Sequence, residues 1–143
     1  YEVMLMGFRT LSSVAWGVQF KVNTGAYINT QDYLDGSGSN FYAVELGFGS
    51  GTTSSVSGAM HLLGNTTASG GAGYKFMTWE GSRRQGDVIA SYETKGYLRS
   101  SSGHHSSTIQ GLRFRTFLNT SGVLGSVKFD TGCRVLVYGY EGL

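Results

Sequence analysis

The stretch IQGLRFRTFLNTSGVLGSVKFDTGCRVLVYGY, residues 109–140, predicts two strands on either side of a Gly-rich reversal. In the first strand Leu112 and Phe114 share one parity along the chain. Arg113 and Arg115 share the other parity. A period of two is typical of a strand with one buried and one solvated face. The rest of the chain must supply the strands that pair with these two.

The second strand of this stretch, residues 133–140, is apolar on both parities except at Arg134. A strand of this kind is expected to be covered on both faces. Two arrangements satisfy the expectation. Either the strand is central in the sheet, or a second subunit covers it.

Composition favours an all-β domain. The chain has 143 residues with 23 Gly, no Pro and only 14% charged residues. Long helices need runs of Ala, Leu, Glu and Lys, which this chain does not provide. Short apolar segments separated by Gly- and Ser-rich loops predict a single antiparallel β-sandwich over residues 1–143, jelly-roll-like, with about nine or ten strands.

Two further segments predict a half-buried strand and a hairpin. Trp16, Val18 and Phe20 alternate with polar or small residues, so they predict a half-buried strand. Residues 74–82 and 87–93 predict two strands joined by a turn at residues 83–86.

Charge, cysteine content and hydropathy limit the partners. The net charge is only +2 and the Lys and Arg residues are dispersed, so no nucleic-acid partner is expected. Cys133 is the one cysteine and is interpreted as a small buried apolar residue. There is no apolar run long enough to predict membrane insertion. A start at Tyr1 without Met or leader is typical of a processed chain or the end of a longer polypeptide.

No catalytic or metal-binding motif stands out, so the chain is expected to be no enzyme and to need no cofactor or metal. Glu80 and Asp87 are one alternative, as a glycosidase carboxylate pair, although solvated strand-end charges explain them better. The pair His104–His105 and the pair Asp32 and Asp35 are weaker hints of a metal site.

A binding surface is the function that the loops favour. Loops rich in Ser, Gly, Asn and Tyr on a rigid sandwich give adaptable hydrogen bonds and aromatic contact area. The candidate residues for sugar stacking and their polar partners are Tyr33, Tyr42, Trp79, Tyr92 and Tyr97, with Arg83, Arg84 and Asp87. The alternative for Trp79 and Tyr42 is a place in the core or in a subunit interface.

The order of segments resembles a domain that recurs at the C-terminal end of virion proteins of tailed bacteriophages, in tail fibres, tail spikes, head fibres and decoration proteins. The matching segments are Tyr1-Glu2, Asn23-Thr24-Gly25, Ile109-Gln110-Gly111-Leu112-Arg113-Phe114, Asn119-Thr120-Ser121-Gly122 and Val135-Leu136-Val137-Tyr138-Gly139. Two departures are the single Gly25 in place of a Gly-Gly pair and an insertion at residues 127–129. The motifs are structural and carry no catalytic signature.

The resemblance implies a β-sandwich displayed on a virion and used for host attachment or particle decoration. The leading hypothesis is therefore a non-enzymatic module that binds host surface polysaccharide. The second is a structural decoration, head-fibre or tail-assembly module that binds other virion proteins, and the third is a glycan hydrolase. A homo-oligomer is expected, with a trimer favoured by analogy with phage fibres.

Overall fold

The computed structural model describes residues 1–22, 26–28, 33–35, 40–41, 43–50, 54–63, 76–85, 87–98, 109–117 and 125–139. Within these ranges the regular structure is β-strand, and no helix occurs. The strands are β1 (Glu2–Phe8), β2 (Ser13–Val22), β3 (Tyr33–Asp35), β4 (Asn40–Phe41), β5 (Val44–Ser50), β6 (Ser54–Leu63), β7 (Phe76–Gln85), β8 (Val88–Leu98), β9 (Ile109–Phe117) and β10 (Arg134–Tyr138).

These strands form two antiparallel sheets. The larger has seven strands in the order β10-β1-β6-β7-β8-β3-β4, and the smaller has three in the order β5-β2-β9. The prediction of an all-β, antiparallel protein is confirmed, and two sheets on one apolar core fit a β-sandwich. The predicted hairpin of residues 74–93 is confirmed as β7–β8, except that residues 83–85 extend β7 instead of forming the turn.

An aromatic cluster fills the space between the sheets. Trp16 of β2 stacks on Phe8 of β1 at 5.1 Å between ring centroids. It also meets Trp79 of β7 edge-on at 6.3 Å. Phe8 reaches the core because Gly7, with φ of 64°, shifts the register of β1 between Leu5 and Phe8. Rings from both sheets therefore interlock at the centre of the molecule.

The expectation for the last strand is corrected in one respect. β10 is the outermost strand of the larger sheet, not a central one, and all five of its residues are exposed. It pairs with β1, whereas β9 pairs with β2 in the smaller sheet. The two strands of the opening stretch thus lie in different sheets. The alternative that a second subunit covers β10 stays a prediction.

The half-buried character predicted for β2 is wrong. β2 is the central strand of the smaller sheet, and its residues 15–20 are all buried. Gln19, on the parity expected to face solvent, is fully buried. Its side-chain oxygen accepts hydrogen bonds from the Arg113 guanidinium at 2.7 and 3.1 Å. The long side chain of Arg113 covers this face, and its guanidinium in turn lies 4.4 Å from the Tyr27 ring centroid.

Residues 127–129, which depart from the resembled pattern, are part of the core framework. Phe129 forms an isolated bridge with Thr10, and its ring packs edge-on against Phe8 and Trp16. Beside it, the Arg9 guanidinium forms an ion pair with Asp130. This segment holds the entry to β10 against the end of β1.

Candidate functional site

The outer face of the β7–β8 hairpin carries most of the polar candidates that the structure describes. Arg84 and Asp87 are exposed near the turn, and Arg83 is half-buried on the opposite face of β7. Val88 and Ile89, which follow the turn, are 66% and 74% exposed. The hairpin end thus presents a cation, a carboxylate and two apolar side chains to solvent.

Two predicted stacking residues lie inside the core. Trp79 and Tyr33 are both 0% exposed. The Tyr33 hydroxyl accepts the Phe20 backbone N–H at 2.8 Å and donates to the Ile28 carbonyl at 3.1 Å. A ring without exposed area offers no surface to a sugar, so neither ring is part of a binding surface in this structure. For Trp79 this is the alternative that the sequence left open.

The side chains of the remaining aromatic candidates lie outside the described part of the structure. Tyr42 falls there entirely. Tyr92 and Tyr97 have described backbones in β8, where they pair with Gly81 and Phe76, but their side chains are not described. Their binding role stays a prediction.

The carboxylates proposed for a glycosidase pair are far apart along the hairpin. Glu80 pairs with Glu93, whereas Asp87 lies beyond the Gln85–Val88 pair at the turn. Five residues of strand separate Glu80 from Gln85, which is roughly 17 Å at about 3.4 Å per residue. Glycosidase carboxylates lie about 5–9.5 Å apart. This spacing argues against Glu80 and Asp87 as a catalytic pair.

The weaker hints of metal binding fall largely outside the described residues. His104, His105 and Asp32 lie there, and so does the side chain of Asp35. Across the described part of the chain, three or more His, Cys, Asp or Glu side chains are nowhere grouped as metal ligands would be. In the same residues there is no helix long and apolar enough to cross a membrane.

A second candidate surface lies on β1 and β10. We call it the β1–β10 surface, and its residues are Met4, Met6, Val135, Leu136, Val137 and Tyr138, which are 36–59% exposed. Met4 pairs with Leu136, so their side chains share the outer face of the sheet. Apolar residues on both parities of these two strands are the sequence signal that predicts such a surface.

A groove opens beside the β1–β10 surface, between the edges of the two sheets. Its volume is about 720 Å³. Val135 and Val137 of β10 form one wall, and Leu112 and Phe114 of β9 form the other. The groove is therefore an apolar continuation of the surface toward the core.

The pairing of β1 fixes which backbone groups of β10 face outward. Tyr1, which precedes β1, exchanges both backbone hydrogen bonds with Leu62 of β6, so the two residues form a hydrogen-bonded pair that continues the β1–β6 ladder. Because such pairs alternate along an antiparallel ladder, Met4 directs its N–H and C=O toward Leu136 of β10. Val135 and Val137 consequently direct theirs away from β1, at the outer edge of the described sheet.

Comparisons of the chain with protein-family models, curated proteins and solved structures found no match.

Proposed function

We propose that this chain is a non-enzymatic structural module on the surface of a tailed-phage virion, where it binds other virion proteins. The observation that carries the proposal is the β1–β10 surface. Contiguous exposed apolar side chains on a β-sheet are typical of protein–protein contacts. The segments that resemble virion domains support the same assignment, and one of them, residues 135–139, includes all the β10 residues of that surface.

A finer assignment of the fold belongs to this proposal. The two antiparallel sheets support a jelly-roll-like sandwich of about nine or ten strands. Such double-sheet folds recur in viral capsid proteins, so the fold and the virion location support each other.

Proteomic and imaging analysis of the phage that encodes the chain tests this function. Peptides of the chain should be found in gradient-purified particles, and antibodies against the purified chain should label their surface in electron micrographs. A chain found only in the soluble fraction of infected cells, and absent from particles, would contradict the proposal.

Binding of host surface polysaccharide is the second candidate function. The observation that favours it is the exposed end of the β7–β8 hairpin. Arg84 and Asp87 offer charged hydrogen-bonding groups there, and the neighbouring Val88 and Ile89 offer apolar contact. With Trp79 and Tyr33 in the core, this surface has fewer described stacking rings than the sequence suggests, which places the assembly function first.

Binding of the fluorescently labelled chain to host cells, with and without enzymatic removal of their surface polysaccharide, tests the second candidate. The R84A/D87A double variant should lose binding about tenfold or more, because both polar partners are removed. The matched control is M4K, which alters the opposite end of the sheet. Equal binding to intact and stripped cells would exclude the glycan.

A further inference from the structure

The edge of β10 differs from the other sheet edges that the structure describes. Natural sheets protect their edges with short strands, charged side chains, Pro or bulges. β4, at the opposite edge of the larger sheet, has only two residues. β9, at one edge of the smaller sheet, carries Arg113 and Arg115. β5, at the other edge of that sheet, pairs with β2 through a register shift between Trp16 and Gly17, so its ladder is irregular. β10 has five residues and a single charge, Arg134 at its start.

The outward backbone groups of β10 are self-complementary. They belong to Val135 and Val137, two identical residues placed symmetrically about Leu136. If two copies pair antiparallel with Leu136 opposite Leu136, each Val135 lies opposite a Val137 as a hydrogen-bonded pair. All four outward groups of each copy then find partners. This register also pairs every residue of the strand.

The charges of β10 fit the same register. Arg134 lies opposite Tyr138 of the other copy, and the two arginines are kept at opposite ends of the strand pair. A guanidinium close to a Tyr ring is attracted by it, whereas two cations placed opposite each other would repel. Because Arg134 and Tyr138 share the outer face with Leu136, both contacts form without change to the inner face.

We infer that the partner of the β10 edge is a second copy of this chain, joined by antiparallel pairing of the two β10 strands about a two-fold axis at Leu136. This inference rests on the proposed assembly function and names its first partner. The two seven-stranded sheets become one continuous sheet, and the two grooves meet beside the axis. An isologous pair of this kind is two-fold symmetric, so it replaces the trimer expected by analogy.

Sedimentation velocity of the whole chain over a range of concentrations is the first test. The wild type should sediment as a species whose mass is twice the 15.3 kDa of one chain. L136K places two ammonium groups face to face at the axis and should raise the dimer dissociation constant about tenfold or more. The matched control is S82K, which adds the same charge to the exposed outer face of the same sheet on β7, three strands from β10, and should stay dimeric.

A cysteine scan in a C133S background tests the register without a destabilising charge. L136C should form an intermolecular disulfide on mild oxidation, because residues opposite each other at a non-hydrogen-bonded site are about 4.5 Å apart at Cα, within disulfide range. V135C and V137C should cross-link at least tenfold more slowly. In the proposed register residue 135 of one copy lies opposite residue 137 of the other copy, so two identical cysteines at either position are not directly opposite each other.

A wild-type chain that is monomeric at all concentrations, a trimer, or faster cross-linking of V135C or V137C than of L136C would each overturn the inference. These outcomes are independent of the test of function. A monomeric chain found in purified particles would overturn the self-pairing and leave the virion assignment intact. A chain that is dimeric but absent from particles would contradict the virion assignment and leave the self-pairing intact.

Discussion

Two glycines make room for the central tryptophan. Gly58 and Gly81 are cross-strand partners on β6 and β7, and the Trp79 indole lies over both of them. A Cβ at Gly81 would lie 2.5 Å from Cζ2 of that ring, which is too close for any real contact. The small residue is therefore needed because a large buried ring occupies the neighbouring space.

Replacement of Gly81 by Ala is expected to lower the free energy of unfolding by about 1–3 kcal/mol, because the added methyl overpacks the core against Trp79. The control is Gly132→Ala, since no heavy atom lies within 4 Å of a Cβ there. That change should cost less than about 0.5 kcal/mol. Urea unfolding followed by tryptophan fluorescence measures both, and equal stabilities of the two variants would contradict the packing.

Asp130 links stability to pH. Its partial burial raises the pKa of the carboxyl, but hydrogen bonds from Arg9 and Thr131 outweigh this and hold the pKa below the ordinary value of 3.8. A carboxyl with a lower pKa in the folded state stabilises the fold above the unfolded pKa. That stabilisation is lost as the pH falls below 3.8 and through the folded pKa.

Asp130→Asn should therefore be less stable than the wild type at pH 7, and the difference should shrink as the pH falls below 3.8. Urea unfolding at a series of pH values from 7 to about 2.5 measures the difference. Gly132→Ala, which removes no titrating group, serves as the control. A difference between wild type and Asp130→Asn that is constant with pH would rule out the link.

At the scale of elements, the segment before β10 is part of the core, although it is an insertion relative to the pattern that the chain resembles. Phe129→Ala is expected to cost about 2–4 kcal/mol of unfolding free energy, since it removes a ring packed on Phe8 and Trp16. Lys128→Ala, at the exposed neighbour, should be nearly neutral. Thermal unfolding of both variants checks this, and a neutral Phe129→Ala would show that the segment is dispensable.

The sequence predicts the existence of strands better than their place in a sheet. Alternation and apolar runs are local, so β1, β2, β7 and β9 can be recognised from the chain alone. Whether a strand is central or at an edge depends on distant partners. Gln19 is buried because Arg113 covers it from β9, and β10 is exposed because its one described neighbour is β1. The local sequence pattern predicts neither the burial of Gln19 nor the exposure of β10.

Dependence on distant partners also limits how much of the candidate site the sequence predicts. Arg84 and Asp87 could be placed at the surface because charged residues near a turn are seldom buried. Aromatic residues carry no such signal. Trp79 and Tyr33 belong to the core because Gly81 and the backbone of β2 provide space and a hydrogen-bond partner for them. These partners are remote in sequence, so composition alone cannot separate a core ring from a stacking ring.

At the scale of the whole molecule, the outer face of the seven-stranded sheet has two halves that differ in polarity. The β7–β8 half of its outer face is polar and carries the Glu80–Glu93 and Ser82–Ser91 pairs. The β1–β10 half is apolar. A protein that presents an apolar half and a polar half on one sheet is suited to assembly at one side while the other side faces solvent or a ligand.

Amide hydrogen exchange of β10, followed residue by residue by NMR at low and high protein concentration, tests the self-pairing most directly. The Leu136 amide, bonded to β1 within one chain, should be protected at both concentrations. The amides of Val135 and Val137 should exchange rapidly in the dilute monomer and become protected as the dimer forms. Rapid exchange of these two amides at a concentration where the chain is fully associated would contradict pairing through the β10 edge.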